Sequence, residues 1–190
     1  MTSKTMNRFG PYGLWLLANA AGFLVGSLLG ATDGGYVPEQ LLATWGRWGL
    51  IAGDLVFGAC IGLAQWWALR RTAQRSLSLT WIPVTALGFV LGARLGPGVS
   101  FAIAADVTLI AIVFGVVMGG AQGVATWFLV RDWHPRAGLW IPFSIAAWVV
   151  GESIAFSLGF AHWGVPLVAV AIAAVTGAHL FGLQSRSAAA

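Results

Sequence analysis

Apolar residues run almost unbroken along this chain in six stretches, at about 13–31, 49–69, 80–97, 107–130, 138–159 and 165–184. Each approaches the roughly 20 residues that a helix needs to cross a hydrocarbon core of about 30 Å. The runs are continuous rather than alternating, which predicts transmembrane helices and argues against a membrane β-barrel. Helices satisfy their own backbone hydrogen bonds, the condition for crossing lipid. The third run is short and carries Arg94. The first follows Lys4 and Arg8, but it exceeds the roughly 7–15 residues of a signal-peptide core and belongs to a repeat, so it reads as a span.

Small residues recur within these runs on a fixed pattern. The first reads Trp15, Asn19, Gly22, Gly26, Gly30; the third Trp81, Thr85, Gly88, Gly92, Gly96; the fifth Trp140, Ser144, Ala147, Gly151, Ala155. In all three the polar residue and the small residues keep the same distances from tryptophan, so they fall along one helix face. The second run carries Gly58, Gly62 and Gln65, the fourth Gly115, Gly119 and Gln122. The sixth keeps Ala173 and Gly177 but has Leu180 at the glutamine place, with His179 beside it. Apolar burial between helices gains little in lipid, and stripes of small residues instead let backbones approach closely. The expectation is an all-α membrane protein: six transmembrane helices forming a single domain over 1–190, built from three glycine-rich hairpins (about 13–70, 80–131 and 138–186) around a pseudo-threefold axis. Trp15, Trp81 and Trp140 suit one interfacial belt and Trp45, Trp48 and Trp163 the other. Pro38 opens a short helix on the surface.

Composition removes the soluble alternative. Of 190 residues 58% are hydrophobic and 8% charged, with a mean hydropathy of +0.83, whereas soluble domains carry about a quarter charged residues. A single cysteine, Cys60, excludes a disulfide scaffold, and the charge content excludes a nucleic-acid binder. The net charge of +4 is topological: Lys4, Arg8, Arg70, Arg71, Arg75, Arg131, Arg136 and Arg186 all fall on one side of a six-span arrangement. The opposite connectors hold Arg47, Asp33, Glu39 and Asp106. Positive residues stay cytoplasmic, which puts both termini inside.

The helix-ending string Gly62-Leu-Ala-Gln65-Trp-Trp-Ala-Leu-Arg70 resembles helix ends of uncharacterised small multi-pass bacterial membrane proteins. The resemblance implies a bacterial inner membrane and supplies no activity.

A rise of 1.5 Å per residue sorts the buried polar groups into two layers. Asn19, Gln65, Thr85, Gln122, Ser144 and His179 lie roughly 6–13 Å from the cytoplasmic ends, and Asp54, Arg94 and Glu152 roughly 18–24 Å. Asp54 shares a helix face with Gly58, Gly62 and Gln65, where the other two copies have Ala111 and Ala169. Ionisable groups at this depth face the protein interior and find partners. Asp54, Arg94 and Glu152 therefore either line a polar pocket or form an ion pair, Asp54–Arg94 or Arg94–Glu152, that fixes hairpin register. The glutamines read as interhelical donors to carbonyls or to Asn19 and Thr85.

No cofactor or metal is required by the sequence. Histidine pairs lack metal-ligand spacing, and HExxH and CxxC are absent. His179 is a possible axial ligand for haem or a pigment magnesium, or a hydrogen-bonded core residue. His134, in a cytoplasmic loop, is expected to face headgroups, and His162 lies in an outer connector. Gly151-Glu-Ser153-Ile154 with His179 resembles the serine–histidine pair of rhomboid-type intramembrane proteases, but that family has glycine where Ile154 stands. Ser153 and His179 also differ in depth by about 10 Å, and a catalytic pair must meet within about 3 Å. The sole lysine, Lys4, precedes the first span, which excludes retinal chemistry. The functional expectation is a non-enzymatic accessory or structural subunit touching partner helices, lipid or pigments. The alternative is a transporter, or a substrate-binding transport subunit, using Asp54, Arg94 and Glu152 for a small, mostly apolar solute; in size and span count the chain resembles the substrate-binding subunits of energy-coupling vitamin transporters.

Overall fold

The computed structural model describes residues 10–31, 35–72, 77–159 and 164–181, and Lys4, Arg8, Asp33, Arg75, His162, Trp163 and Arg186 lie outside them. The described residues form seven α-helices: α1 (Pro11–Gly30), α2 (Tyr36–Trp45), α3 (Arg47–Thr72), α4 (Trp81–Ile103), α5 (Val107–Val130), α6 (Trp140–Ser157, entered through a 3-10 turn at Ala137–Leu139) and α7 (Val165–Phe181). Local chemistry sets the ends. Pro11 occupies the start of α1, where a missing N–H costs nothing. Asp106 caps α5 by accepting from the Leu109 N–H at 2.9 Å. Gly46 ends α2 at φ +52°, a left-handed conformation that favours glycine.

Five helices are long and apolar enough to cross a membrane, and α7, at 17 residues, is apolar but shorter. Leu17, Leu28, Leu63, Leu87, Leu91 and Leu95 are each more than half exposed on the outer faces. So much contiguous apolar surface belongs in lipid rather than water, and the protein is an integral, multi-pass membrane protein. The third span is longer than its hydropathy indicates: α4 continues through Pro97 to Ile103. Proline at this place removes one N–H without ending the helix, a break that neighbouring helices support in membrane proteins. The Ser100 hydroxyl donates to the Gly96 carbonyl at 2.7 Å in the same turn.

Six helices close a ring. α1 packs on α3, α3 on α4, α4 on α5, α5 on α6, α6 on α7 and α7 back on α1, while α2 lies against the start of α3. Glycines set the register of each contact. A Cβ at Gly22 would meet Cys60 and Ala64; one at Gly62, Ile82 and Thr85; one at Gly92, Met118; one at Gly119, the Ile145 Cα at 2.5 Å; one at Gly151, Ile172; one at Gly177, Trp15 and Tyr12. Gly30, Gly58, Gly88 and Gly115 press on Gly53, Ala86, Ala125 and Val149 in the same way, and Gly26 and Gly96 receive the rings of Phe57 and Phe114. Missing side chains thus bring neighbouring backbones together from α1 through α6, and at α7 they admit the side chains of Ile172, Trp15 and Tyr12.

The interior divides into two stacked apolar clusters. One, at the end where α1, α4 and α6 begin, holds Trp15, Leu69, Trp81, Val130, Trp140 and Leu180. The other holds Phe23, Ile61, Phe89, Met118, Trp148 and Ile172. The placement of the three repeat tryptophans in an interfacial belt is overturned. Trp15, Trp81 and Trp140 are 1%, 1% and 4% exposed, because each indole N–H has a polar partner inside the ring. Trp45 and Trp48 are exposed.

Candidate functional site

The end where α1, α4 and α6 finish encloses a cavity of about 400 Å³ along the ring axis, with walls from all six ring helices. Its floor is aromatic. Phe23 of α1 packs on Phe57 of α3 (ring centroids 5.8 Å), Phe57 on Phe89 of α4 (4.7 Å), Phe89 on Trp148 of α6 (6.1 Å), and Trp148 back on Phe23 (5.8 Å). Four rings from four helices thus form a closed circuit beneath the cavity. Phe114 and Met118 of α5 and Val165 and Val168 of α7 complete the apolar wall.

Three charged side chains enter this cavity, one each from α3, α4 and α6. Asp54 stands about two turns into α3, on the face that carries Gly58 and Gly62. Arg94 reaches from α4 and donates through Nε and Nη2 to Asp54 Oδ2. The Asp54 side chain is 4% exposed and that of Arg94 32%, so the pair spans from the packed interface to the cavity. Of the two ion pairs open on sequence grounds, Arg94 makes the one with Asp54. Glu152, one turn beyond Trp148 on α6, is 6% exposed and makes neither a hydrogen bond nor an ion pair among the described residues. The formal charges are two negative and one positive, so a neutral pair sits beside one further carboxylate.

Below the aromatic floor lies a belt of polar side chains. Asn19 Nδ2 donates to the Trp15 carbonyl at 2.9 Å, Gln65 Nε2 to Asn19 Oδ1 at 2.8 Å, and Trp81 Nε1 to Gln65 Oε1 at 3.2 Å. Gln122 Nε2 donates to the Thr85 carbonyl at 3.1 Å, and Trp140 Nε1 to Thr126 Oγ1 at 2.8 Å. Trp15 Nε1 donates to Thr176 Oγ1 at 3.1 Å, closing α7 onto α1. Thr85 Oγ1 is buried without a partner, and Ser144 packs on Gly123. A void of about 30 Å³ on the axis is bounded by Gln65, Gln122, Thr126, Ser144 and Thr176. Its upper boundary includes Phe23 and Trp148, so the aromatic circuit separates belt from cavity.

His179 does not join this belt. It lies at the opposite end from the cavity, its ring 4.6 Å from that of His134 and stacked 4.8 Å from Phe143, with Trp140 at 6.0 Å. His134 is 5% exposed, which overturns the expectation that it faces headgroups: the turn after α5 folds back and tucks the imidazole under α7. Its Nδ1 accepts from the Arg136 N–H at 3.3 Å. Burial pushes the His134 pKa below the usual imidazole range, and the nearby Arg136 charge adds to this, against the backbone of Leu180 and His179, which favours the protonated form. His179 Nε2 and Trp133 Nε1 are buried with no hydrogen-bond partner. Among the described residues no group of three or more His, Cys, Asp or Glu is placed to hold a metal ion. Ser153 Oγ donates to the Val149 carbonyl at 2.7 Å, within its own helix.

Sequence reading missed the four-ring floor although part of it was signalled. Phe23, Phe89 and Trp148 each stand eight residues after Trp15, Trp81 and Trp140, beside the small-residue stripe, and Phe57 alone looks like an ordinary span residue. It also missed Thr126 and Thr176, which stand three residues after Gly123 and Ala173 as Gln65 does after Gly62 and serve the same purpose towards Trp140 and Trp15. No protein-family model, curated protein or solved structure matches this chain.

Proposed function

We propose that the protein crosses a bacterial inner membrane six times with both termini cytoplasmic, and binds a small, mostly apolar solute in its axial cavity. It serves as a non-enzymatic transport protein or as the solute-binding subunit of a transporter. The observation that carries this reading is that Asp54, Arg94 and Glu152, from three different helices, enter one aromatic-floored cavity. Charged side chains at membrane depth are expensive and are kept where they act. A concave, mostly apolar space with a few convergent polar groups is the usual form of a small-molecule site.

Orientation rests on the arginines. Arg70, Arg71 and Arg131 stack over Trp66, Trp67 and Trp127 at 5.1, 5.6 and 5.5 Å, at the end opposite the cavity. Cation–π pairs of this kind suit a cytoplasmic interface, and the cavity then faces outward. Counting α7 as a span asks about 26 Å of a 17-residue helix, at 1.5 Å per residue, a modest mismatch with a core of about 30 Å. The three antiparallel helix pairs, α1–α3, α4–α5 and α6–α7, are read as three copies of one hairpin around the ring axis.

A second reading, an accessory subunit contacting partner helices, lipid or pigment, is favoured by the exposed Trp45 and Trp48. Mass spectrometry of gently extracted protein separates the two. Wild type is expected to retain a small molecule that the Asp54→Asn/Glu152→Gln variant loses while assembling normally. Identical retained solutes in both, or co-isolated membrane subunits with no solute, would overturn the transport reading.

A further inference from the structure

We propose that the solute held in this cavity is an amphiphilic organic cation, an ammonium group on an aryl or alkyl body, with Glu152 as its counter-ion. The inference rests on the solute-binding reading above and adds to it the ligand's charge and shape.

The charge balance of the cavity carries the first step. Arg94 is engaged with Asp54, so this pair contributes no net charge. Glu152 is then the one acid of the cavity whose charge, when ionised, no cation among the described residues offsets; it is 6% exposed and meets no donor among them. A buried carboxylate without a donor is costly, and its presence on the cavity wall is accounted for by a donor that arrives with the ligand. An ammonium supplies both the opposite charge and the hydrogen bonds.

The floor carries the second step. Phe23, Phe57, Phe89 and Trp148 form one circuit, with Trp148 a single turn from Glu152. The π faces of aromatic rings carry negative charge density and attract cations, most strongly where water is excluded. A ring face turned to the ligand therefore acts in the same sense as the Glu152 carboxylate. An anion would have to compete with Asp54 for Arg94 while standing near Glu152, and like charges brought together at a binding site are rejected. A neutral solute offers Glu152 at best an uncharged hydrogen bond, about half as strong as the charge-assisted one an ammonium makes.

Size and wall chemistry carry the third step. About 400 Å³ lies at the lower end of the range of roughly 300–1,000 Å³ for small-molecule sites. The remaining wall is apolar, so the body attached to the ammonium is apolar too. A hydrated inorganic cation would gain nothing from that wall.

The test uses full-length protein in nanodiscs of zwitterionic lipid at neutral pH, with empty nanodiscs as baseline. The probes are phenylbutylammonium, phenylbutanol and phenylbutanoate, which share one body and differ in charge. The amine is expected to bind about ten- to a hundredfold more tightly than the other two, the range of a charge-assisted contact. Glu152→Gln should abolish that preference and Glu152→Asp should keep it. If Glu152→Gln does not fold, the three probes on wild type together with Glu152→Asp still decide. Equal binding of amine and alcohol, both lost when Ala155→Phe fills the cavity, would overturn the cation and leave solute binding standing. Tighter binding of the carboxylate, or an amine preference unchanged in Glu152→Gln, also overturns it. Absence of amine binding overturns it as well, and the retained-solute spectra then decide separately whether the solute-binding reading falls.

Discussion

Arg94 of α4 crosses the α3–α4 interface to grip Asp54 of α3 through two guanidinium nitrogens. The acid sits on the glycine face of α3 and the base at the cavity wall, so the pair ties helix register to the shape of the site. Asp54→Ala takes from Arg94 its partner on α3. Breaking a fully buried pair costs about 3–5 kcal/mol. Arg94 is a third exposed and partly screened, so the expected loss is about 1–3 kcal/mol, read as a lower Tm in mild detergent. Asp54→Asn combined with Arg94→Gln should recover part of that loss. A single Asp54→Ala variant as stable as wild type would show that the pair holds nothing together.

Close backbone approach is testable at paired positions on one helix. A Cβ on Gly119 would stand 2.5 Å from the Ile145 Cα, whereas one on the adjacent Gly120 meets nothing within 4 Å. Gly119→Val is therefore expected to separate α5 from α6 and destabilise the protein by at least the roughly 1–3 kcal/mol of ordinary overpacking. Gly120→Ala should be neutral or slightly stabilising, since alanine is the better helix former. Equal effects at both positions, measured by thermal unfolding, would mean that helix propensity and not interhelical distance sets the cost.

Much of the architecture is legible from hydropathy because lipid requires long apolar runs and helices alone satisfy their backbone there. Depth is legible too: counting 1.5 Å per residue puts Asp54, Arg94 and Glu152 in one layer. Spacing along one helix carries no information about azimuth between helices, so it does not say that Arg94 meets Asp54 and not Glu152. Tryptophan misleads for a related reason. Its statistical preference for interfaces gives way at Trp15, Trp81 and Trp140, because a hydroxyl or amide on the neighbouring helix lets the indole N–H be buried at no loss. Those partners, Gln65, Thr126 and Thr176, each stand three residues after a small residue, Gly62, Gly123 and Ala173, a register that is hidden when Gln65 is aligned with Gln122 instead. His134 is misread because a charged, proline-containing turn looks solvated until the chain is seen to fold back under α7.

The indole contacts have a measurable size. Trp140 Nε1 donates to Thr126 Oγ1 at 2.8 Å, and Thr126 Oγ1 in turn donates to the Gln122 carbonyl at 2.6 Å. Interhelical hydrogen bonds in membranes average about 0.6 kcal/mol, with a maximum near 1.7. A double-mutant cycle of Trp140→Phe with Thr126→Val should return a coupling energy in that range. Zero coupling would make the contact a by-product of packing.

Acid sensitivity at the opposite end from the cavity follows from His134. Its imidazole pKa is lowered in the fold, chiefly by burial, so the unfolded chain takes up a proton more readily than the folded one. Proton uptake by the unfolded state draws the equilibrium towards unfolding. The contribution of His134 is therefore fully present above the ordinary value of 6.5 and lost as pH falls from there through the lowered folded value. Extracted protein should lose stability on acidification below about pH 6.5, and His134→Gln should lessen that slope, the buried His179 ring 4.6 Å away keeping its own share, while leaving neutral and alkaline pH little changed. A variant whose stability falls as steeply with acid as wild type would assign the sensitivity to another group.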